Sequence, residues 1–341
     1  MKNLNIITNE RIFYYENNFF SENIDCSSIV EGLSKNFTIK VFARSSYKIE
    51  KNLILQKKNI YLSNNIFTFI KNIILSGNFN NSYNLVISIT PYTFLAFFVI
   101  NFFFKKKIYI YLRSDGFKEY EIILGKKFKI LYKLMYEYIL RRTIIIACEK
   151  NLSLKKSFHL VFPSEISKEW LLPKKDINIQ SFKFLYVGRL NIEKGIYYLI
   201  DLFNNLDNYK FFLNIVGQGN IKASLNSNIK ILDYVSGFHD LIKIYDSHNI
   251  FVLPSYTEAH PKVIDEALSR LLPVIIFEDI KHVVGSRKGV FVCKRNKDHF
   301  MSTTQYILNN YSDIVNEIKN NILPTKEKFI VDLSNIISSE A

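Results

Sequence analysis

Short apolar runs recur along the chain, each closed by a polar turn and followed by a stretch with helical spacing. FVLPS (251–255) has the composition of a buried parallel strand running into a turn. The spacing predicts a helix over 261–272, with Pro261 at its start, where a missing N–H costs little. Residues 272–277 return to a strand-like run. FKFLYVGRLNIEKGIYYLIDLFNNL (182–206) repeats the pattern: a strand, a turn opened by Gly188-Arg189 and closed by Lys194-Gly195, and the amphipathic helix IYYLIDLF. In the first half, residues 4–8, 38–43, 85–89, 108–112 and 143–147 read as strands, with 161–162 as a sixth. Such alternation predicts an α/β protein with doubly wound sheets. The apolar stretch 85–104 is broken by Ser88, Thr90, Pro91, Thr93 and Asn101, so it reads as a buried strand, a turn and a buried helix rather than a membrane span.

The chain has 341 residues, enough for two domains, and its 48% apolar content supports packed cores. A first domain is expected over 1–162, a linker with two prolines over 163–180, a second domain over 181–321 with a late strand at 289–293, and a last helical segment over 322–341. Cys26, Cys148 and Cys293 have no paired spacing, which points to a reducing, cytoplasmic setting. The amino-terminal MKNLNIITNERIF lacks the apolar region of a secretion signal.

The formal net charge is +14, and much of it falls between Lys105 and Arg142. KKFKILYKLMYEYILRR (126–142) has helical spacing, with Phe128, Leu131, Met135 and Ile139 on one side. A basic amphipathic helix suits an anionic membrane surface, where each cation near lipid contributes about 1 kcal/mol. It equally suits a core-packed helix with a solvated basic face, and both readings stand. No nucleic-acid-binding module accompanies the charge, so no nucleic-acid partner is expected.

Two turns carry candidate chemistry. Glu258 lies in the loop after FVLPS and Glu266 eight positions on, in the following helix. Loops of this kind sit at the carboxyl end of a parallel sheet, where ligands bind in open α/β folds. On spacing alone, both remain compatible with plain solvated positions. In the earlier turn, Gly188 allows backbone N–H groups to approach an anion, while Arg189 and Lys194 supply charge suited to a diphosphate. Neither GxxxxGK[ST] nor GxGxxG is present there. VGQGN (216–220) offers only two glycines and reads as a tight turn at Gly217 rather than a dinucleotide site. The chain holds no D-x-D triplet, and His239, His248 and His260 lack the spacing of a tetrahedral site, so no metal is expected. His260 is expected to line the acidic loop, and His239 and His248 to flank a helix at the surface.

Taken in order, VGRLNIEKG (187–195), LNIVGQG (213–219), YVSGFHDLIKIYDSHNIFVLPS (234–255), EAHPKVIDE (258–266) and EALSRLLPVI (266–275) resemble glycosyltransferase family 4, the "group 1" enzymes of GT-B fold. The likeness covers roughly 182–277 well and the rest in outline. The pieces match the family's GRL-x-x-x-KG turn, its E-x7-E signature and its EA-x3-G-x-PVI run, the last with Leu272 in place of a small residue. The resemblance implies two Rossmann-like doubly wound domains facing across a cleft. The last helix would pack back on the first domain. It also implies a retaining transfer of a sugar from a nucleotide-sugar to a glycan or lipid-linked saccharide, as in capsule or lipopolysaccharide assembly. The enzyme would be cytoplasmic, or peripheral on the inner face of the membrane, and would need no cofactor.

By the same resemblance the donor falls to Gly188, Arg189, Lys194, Gly217, Tyr234, Val235, Glu258, Ala259, His260, Pro261, Lys262, Val263 and Glu266. Arg189 and Lys194 would neutralise the leaving diphosphate, Glu258 would hold the transferred sugar, Glu266 the ribose and the backbone near Val235 the base. The first domain departs from the family pattern. TNERIFYYENNFF (8–20) stands where a glycine-rich loop is usual, and YLRSDGFKEYE (111–121) where a histidine is common. Arg113 and Asp115 are the candidates there, one for an acidic group and the other for the acceptor proton, although Asp115-Gly116 also suits a plain turn. A same-fold epimerase or phosphorylase and a catalytically silent membrane scaffold are the alternatives. The joint presence of Arg189, Lys194, Glu258 and Glu266 disfavours the silent form.

Overall fold

A computed structural model describes residues 1–16, 18–21, 23–47, 54–55, 59–104, 107–154, 157–172, 182–206, 211–233, 235 and 237–339. The chain divides into two compact units, Met1–Pro163 with Lys326–Ala341, and Ser164–Thr325.

In the first unit the strands are β1 (Lys2–Tyr15), β2 (Asn18–Ser21), β3 (Phe37–Ser45), β4 (Ile54–Leu55), β5 (Asn59–Ser63), β6 (Ser82–Ile87), β7 (Tyr109–Leu112), β8 (Ile144–Ala147) and β9 (His159–Leu160). The parallel strands lie in the order β5-β3-β1-β6-β7-β8-β9, and β2 and β4 add an antiparallel flap to β1. Helices α1 (Ile24–Leu33), α2 (Ile66–Ser76), α3 (Pro91–Phe104), α4 (Gly116–Leu124) and α5 (Lys126–Leu140) connect them. The last helix of the chain, Lys326–Ser339, belongs to this unit: Tyr109 OH donates to Ile337 O at 3.0 Å, and Asn36 to Ser334 Oγ at 2.8 Å.

The first strand runs much further than residues 4–8. It shifts register between Ile7 and Arg11, then continues as a hairpin arm whose Tyr14 ring meets Phe19 at 4.8 Å. Cross-strand aromatic pairs of this kind hold a hairpin where no glycine-rich loop is present. The sixth strand forms at 159–160 rather than 161–162, although Val161 N still donates to Ala147 O. The apolar stretch 85–104 splits into strand and helix, but α3 is not fully buried: Leu95, Phe98, Phe102 and Phe103 face solvent. In α5 the expected side also divides. Met135 and Ile139 are buried with Tyr132 and Tyr136, whereas Phe128 and Leu131 are exposed. Among the described residues no helix is long and apolar enough to cross a membrane.

The second unit holds β10 (Phe182–Val187), β11 (Phe211–Val216), β12 (Ile229–Leu232), β13 (Ile250–Leu253), β14 (Val274–Phe277) and β15 (Val290–Cys293), all parallel, in the order β12-β11-β10-β13-β14-β15. Helices α6 (Ile196–Asn204), α7 (Phe238–Asp246), α8 (Lys262–Ser269), α9 (Lys297–Asn309) and α10 (Tyr311–Ile318) complete it, and Lys326–Ser339 is α11. The strands are continuous apolar runs because both faces are covered, as in β13, where every side chain is buried. Trp170, inside the expected linker, packs on Tyr245 with ring centroids 5.4 Å apart. Arg270, at the end of α8, donates to Trp170 O and Leu172 O and forks onto Asp246 at 2.7 and 2.8 Å. The two bonds to backbone carbonyls tie 170–172 to α8, and the fork onto Asp246 holds the guanidinium in place for them.

The helix expected over 261–272 is shorter, with Pro261 as the residue before its first turn. It ends in a left-handed turn carried by Leu271, at φ 60°. Leu272, expected to occupy the small-residue position, is instead a fully buried core residue, and the position that strains an L side chain is Leu271.

Candidate active site

The strand order of the second unit reverses between β10 and β13. The two candidate turns leave the carboxyl ends of these neighbouring strands. A crevice forms at such a switch point because the connections diverge to opposite sides. Lys194 comes from the turn after β10 and Glu258 from the turn after β13, and Lys194 Nζ donates to Glu258 Oε1 at 2.6 Å. Ser255 Oγ donates to the same oxygen at 2.7 Å. Both ionised side chains are largely buried, at 17% and 12% exposure. A pair in such surroundings is stronger than one in water.

The turns are locked together through their backbones. Gly195 has φ 69°, and a Cβ there would lie 2.0 Å from Pro254 O. Gly217 approaches Gly188 so closely that a Cβ would sit 1.8 Å from Gly188 O. No other residue type fits either contact without moving a backbone. Gly188 N donates to Val216 O, Leu190 N to Gln218 O, and Tyr256 N to Glu193 O. Glu193 is buried in the middle of the first turn and accepts from Asn191 at 3.1 Å.

Arg189 behaves differently from Lys194. Its side chain is 66% exposed and reaches Glu193 at 3.8 Å. The structure therefore brings Lys194, Glu258 and Ser255 into one cluster and leaves Arg189 at its solvent side. Glu266 is separate again. It is buried in α8 and accepts from Tyr245 OH at 2.9 Å. Burial pushes its carboxyl up to about 7, against the opposing pull of Lys262 and the Tyr245 hydroxyl.

Between the two glutamates, Ala259 and Pro261 are buried, and Val263 packs half-buried on the core. Lys262 pairs with Glu165 at 3.2 Å. His260 does not lie open in the loop. Its side chain is buried, with Nε2 3.1 Å from Asp265, which also takes a fork from Arg287 at 2.6 and 2.9 Å. Burial alone would raise Asp265, but its bonds to His260 and Arg287 outweigh that and hold it below the usual carboxylate range. His282 Nε2 lies 2.8 Å from Glu258 O and fixes the loop from the other side. His239 is exposed, as expected, but His248 is not. It is buried, with Nδ1 2.6 Å from Ile244 O and Nε2 2.9 Å from Asn214. Val235 is half-buried beyond the carboxyl end of β12, and Tyr234 lies outside the described residues.

Several participants carried no clear sequence signal. Ser255 had one: it is the polar residue that closes the FVLPS strand. Asp265 sits inside the acidic signature, yet its partner Arg287 is 22 positions away. Arg295 donates to Pro254 O at 2.8 Å and lies over Tyr256 at 4.1 Å, supporting the acidic loop from β15.

In the first unit Arg113 is already matched. It pairs with Glu10 and lies 3.6 Å from Asp25, and its Nε reaches Ser88 Oγ at 3.3 Å. Ser88 takes φ 63°, a strained conformation for serine. Asp115 caps α4, accepting from Lys118 N at 3.2 Å. Glu10, which sequence reasoning passed over, falls in the register shift of β1 and also accepts from Asn23 at 3.0 Å.

Residues 167–322 match the family described as Glycosyl transferases group 1, which supports a group 1 glycosyltransferase. The chain is 29% identical over 153 residues to an uncharacterised glycosyltransferase of Haemophilus influenzae, covering 41% of this chain and 43% of that protein. It is 24% identical over 302 residues to the capsular polysaccharide biosynthesis glycosyltransferase CapM of Staphylococcus aureus, covering 76% of each. The matches to the first three curated relatives span less than half the length of those proteins. The fold is GT-B. Sucrose-phosphate synthase of Thermosynechococcus elongatus superposes with a TM-score of 0.74 at 14% identity, over 100% of this chain and 99% of that one. Anabaena HepE, in complex with UDP and glucose, superposes with a TM-score of 0.69 at 12% identity, over 100% and 99%.

Proposed function

We propose that this chain is a retaining, metal-independent glycosyltransferase of the family 4 type. It would move a sugar from a nucleotide-sugar to a surface glycan or lipid-linked saccharide on the cytoplasmic side of a membrane. The observation that carries the reading is the 2.6 Å pair between Lys194 and Glu258 at the switch point of the second sheet. A cation and a hydrogen-bond acceptor held side by side suit the two ends of an activated sugar. The donor class draws support from HepE, whose structure holds UDP and glucose. The acceptor class draws support from CapM, named for capsular polysaccharide biosynthesis.

In this reading the donor diphosphate lies against Lys194 and the exposed Arg189. Fixed cations there offset the charge that grows on the leaving nucleotide. The carboxylate of Glu258 accepts hydrogen bonds from sugar hydroxyls, and Ser255 keeps it oriented. Glu266 accepts from the ribose, and the backbone near Val235 meets the base. Arg113 and Asp115 are engaged in an ion pair and a helix cap, so the acceptor proton is assigned to the leaving diphosphate in a front-face transfer.

The deciding experiment is a thermal-shift screen against UDP, GDP, ADP, CMP and their sugars. Specific binding to the folded protein raises its melting temperature by mass action. A single nucleoside diphosphate and its sugar should stand out, and indifference to all of them overturns the reading.

A further inference from the structure

Arg295 lies outside both candidate turns, yet its contacts converge on them. It follows β15 by two positions, as Asp279 follows β14 and residues 254–256 follow β13, three strands that are neighbours in the sheet. Its Nε donates to Asp279 Oδ2 at 2.7 Å, and its Nη2 to Pro254 O at 2.8 Å and Ser255 O at 3.1 Å. The guanidinium carbon lies 4.1 Å from the centre of the Tyr256 ring and 4.8 Å from those of Tyr198 and Phe277. A cation among three rings is held by their π faces as well as by its hydrogen bonds. The side chain is 19% exposed, against 66% for Arg189. With Nε and Nη2 engaged and the rings around it, Arg295 is placed to hold backbone rather than a phosphate.

The two carbonyls it holds belong to the segment where the cationic and acidic turns meet. Pro254 O packs on Gly195, Tyr256 N donates to Glu193 O, and Ser255 Oγ donates to Glu258 Oε1 at 2.7 Å. Rotation of the Ser255 peptide would turn that hydroxyl away from Glu258 and leave Arg189 and Lys194 in their own turn. We propose that Arg295 is a positioning residue for the sugar end of the site. It fixes residues 254–256 so that Ser255 aims the Glu258 carboxylate, and it does not itself meet the donor. The inference rests on the transfer reading, in which Glu258 holds the sugar. A displacement of about 1 Å caused by a change away from the chemistry can cost on the order of 100-fold in rate. Lysine is no equivalent, since one ammonium cannot fork onto Asp279 and two carbonyls together.

The test uses the full chain with the nucleotide and nucleotide-sugar that stand out in the thermal-shift screen. Transfer of the sugar to water, read as nucleotide release, needs no acceptor. Arg295→Met should lower turnover of the bound donor about tenfold or more, with affinity for the nucleotide alone changed less than about twofold. Arg295→Lys should recover part of the rate. Asp279→Asn leaves the carbonyl bonds in place, so its turnover should fall between wild type and Arg295→Met. It also carries the test if Arg295→Met does not fold, which a thermal melt reports. Wild-type turnover in the Arg295 variants overturns the inference. So does a loss of nucleotide affinity that matches the loss of turnover, since Arg295 would then serve the fold at large. A wild-type protein indifferent to every nucleotide overturns the transfer reading, and the positioning role with it. The other failures leave that reading standing.

Discussion

Lys194 and Glu258 stand 64 positions apart in the chain and 2.6 Å apart in the fold. The pair makes a specific demand on kinetics. Under the proposed reading, Glu258→Ala removes the sugar's hydrogen-bond acceptor; it also releases Lys194 from its partner. Transfer should fall about 100-fold, on the order of 3 kcal/mol of transition-state stabilisation. Affinity for the nucleoside diphosphate should hold or rise, because Lys194 no longer shares its charge. Steady-state rates and calorimetry on the same variant check this. Equal losses of rate and of nucleotide affinity would count against a role at the sugar.

Arg189→Ala should act on the donor alone. The side chain is 66% exposed and its ion pair with Glu193 is a long 3.8 Å contact, so folding stability should change by less than about 0.5 kcal/mol. Diphosphate binding should weaken about tenfold, by loss of one charge-assisted contact. Lys194→Ala differs, because it strands the largely buried carboxylate of Glu258 and should destabilise the fold as well. Chemical denaturation of both variants beside nucleotide titrations distinguishes the two cations.

The cationic and acidic turns were legible because a turn at the carboxyl end of an apolar strand is short, polar and local. The residue types there advertise their chemistry before any fold is known. Strands β10 and β13 were themselves legible as continuous apolar runs, but their pairing side by side is set by the strand order of the sheet. What escaped depends on distant partners. His248 reads as a surface residue until Asn214, on strand β11, approaches its ring at 2.9 Å. Glu10 lies in an irregular stretch of β1, and no local pattern marks a register shift that the neighbouring strand imposes. Helical spacing placed Phe128 and Leu131 beside Met135 and Ile139, but periodicity does not say how far along a helix its neighbours extend.

The pH dependence of stability should carry the signature of Glu266. Burial is the main cause of its rise from an ordinary 4.5 to about 7. Between those values the folded protein keeps a proton that the unfolded chain has released. The stabilising contribution is therefore complete below the ordinary value and is lost as pH rises through about 7. Wild type should lose on the order of 2 kcal/mol relative to Glu266→Gln between about pH 5 and pH 8. If the ionised carboxylate also accepts the donor's ribose hydroxyls, nucleotide binding near neutrality releases a proton. Calorimetry in two buffers of different ionisation enthalpy measures that release. Proton uptake, or no change, would show that Glu266 does not meet the ribose as a carboxylate.

The turn that ends α8 gives a prediction about folding alone. Leu271 N donates to Leu268 O and Leu272 N to Ala267 O, each at 3.0 Å, which closes the helix through a left-handed residue. Leu271, at φ 60°, carries the strain, while Leu272 is fully buried in the core of the second unit. Leucine in that conformation costs about 1–2 kcal/mol, which glycine avoids. Leu271→Gly recovers this strain and gives up the packing of a half-buried side chain, so its net effect should lie within about 1 kcal/mol of zero. Leu272→Ala leaves a cavity and should cost about 3 kcal/mol. Urea denaturation of the two variants side by side gives the answer. Equal destabilisation by both would mean that Leu271 owes its place to packing, and that the turn imposes no strain.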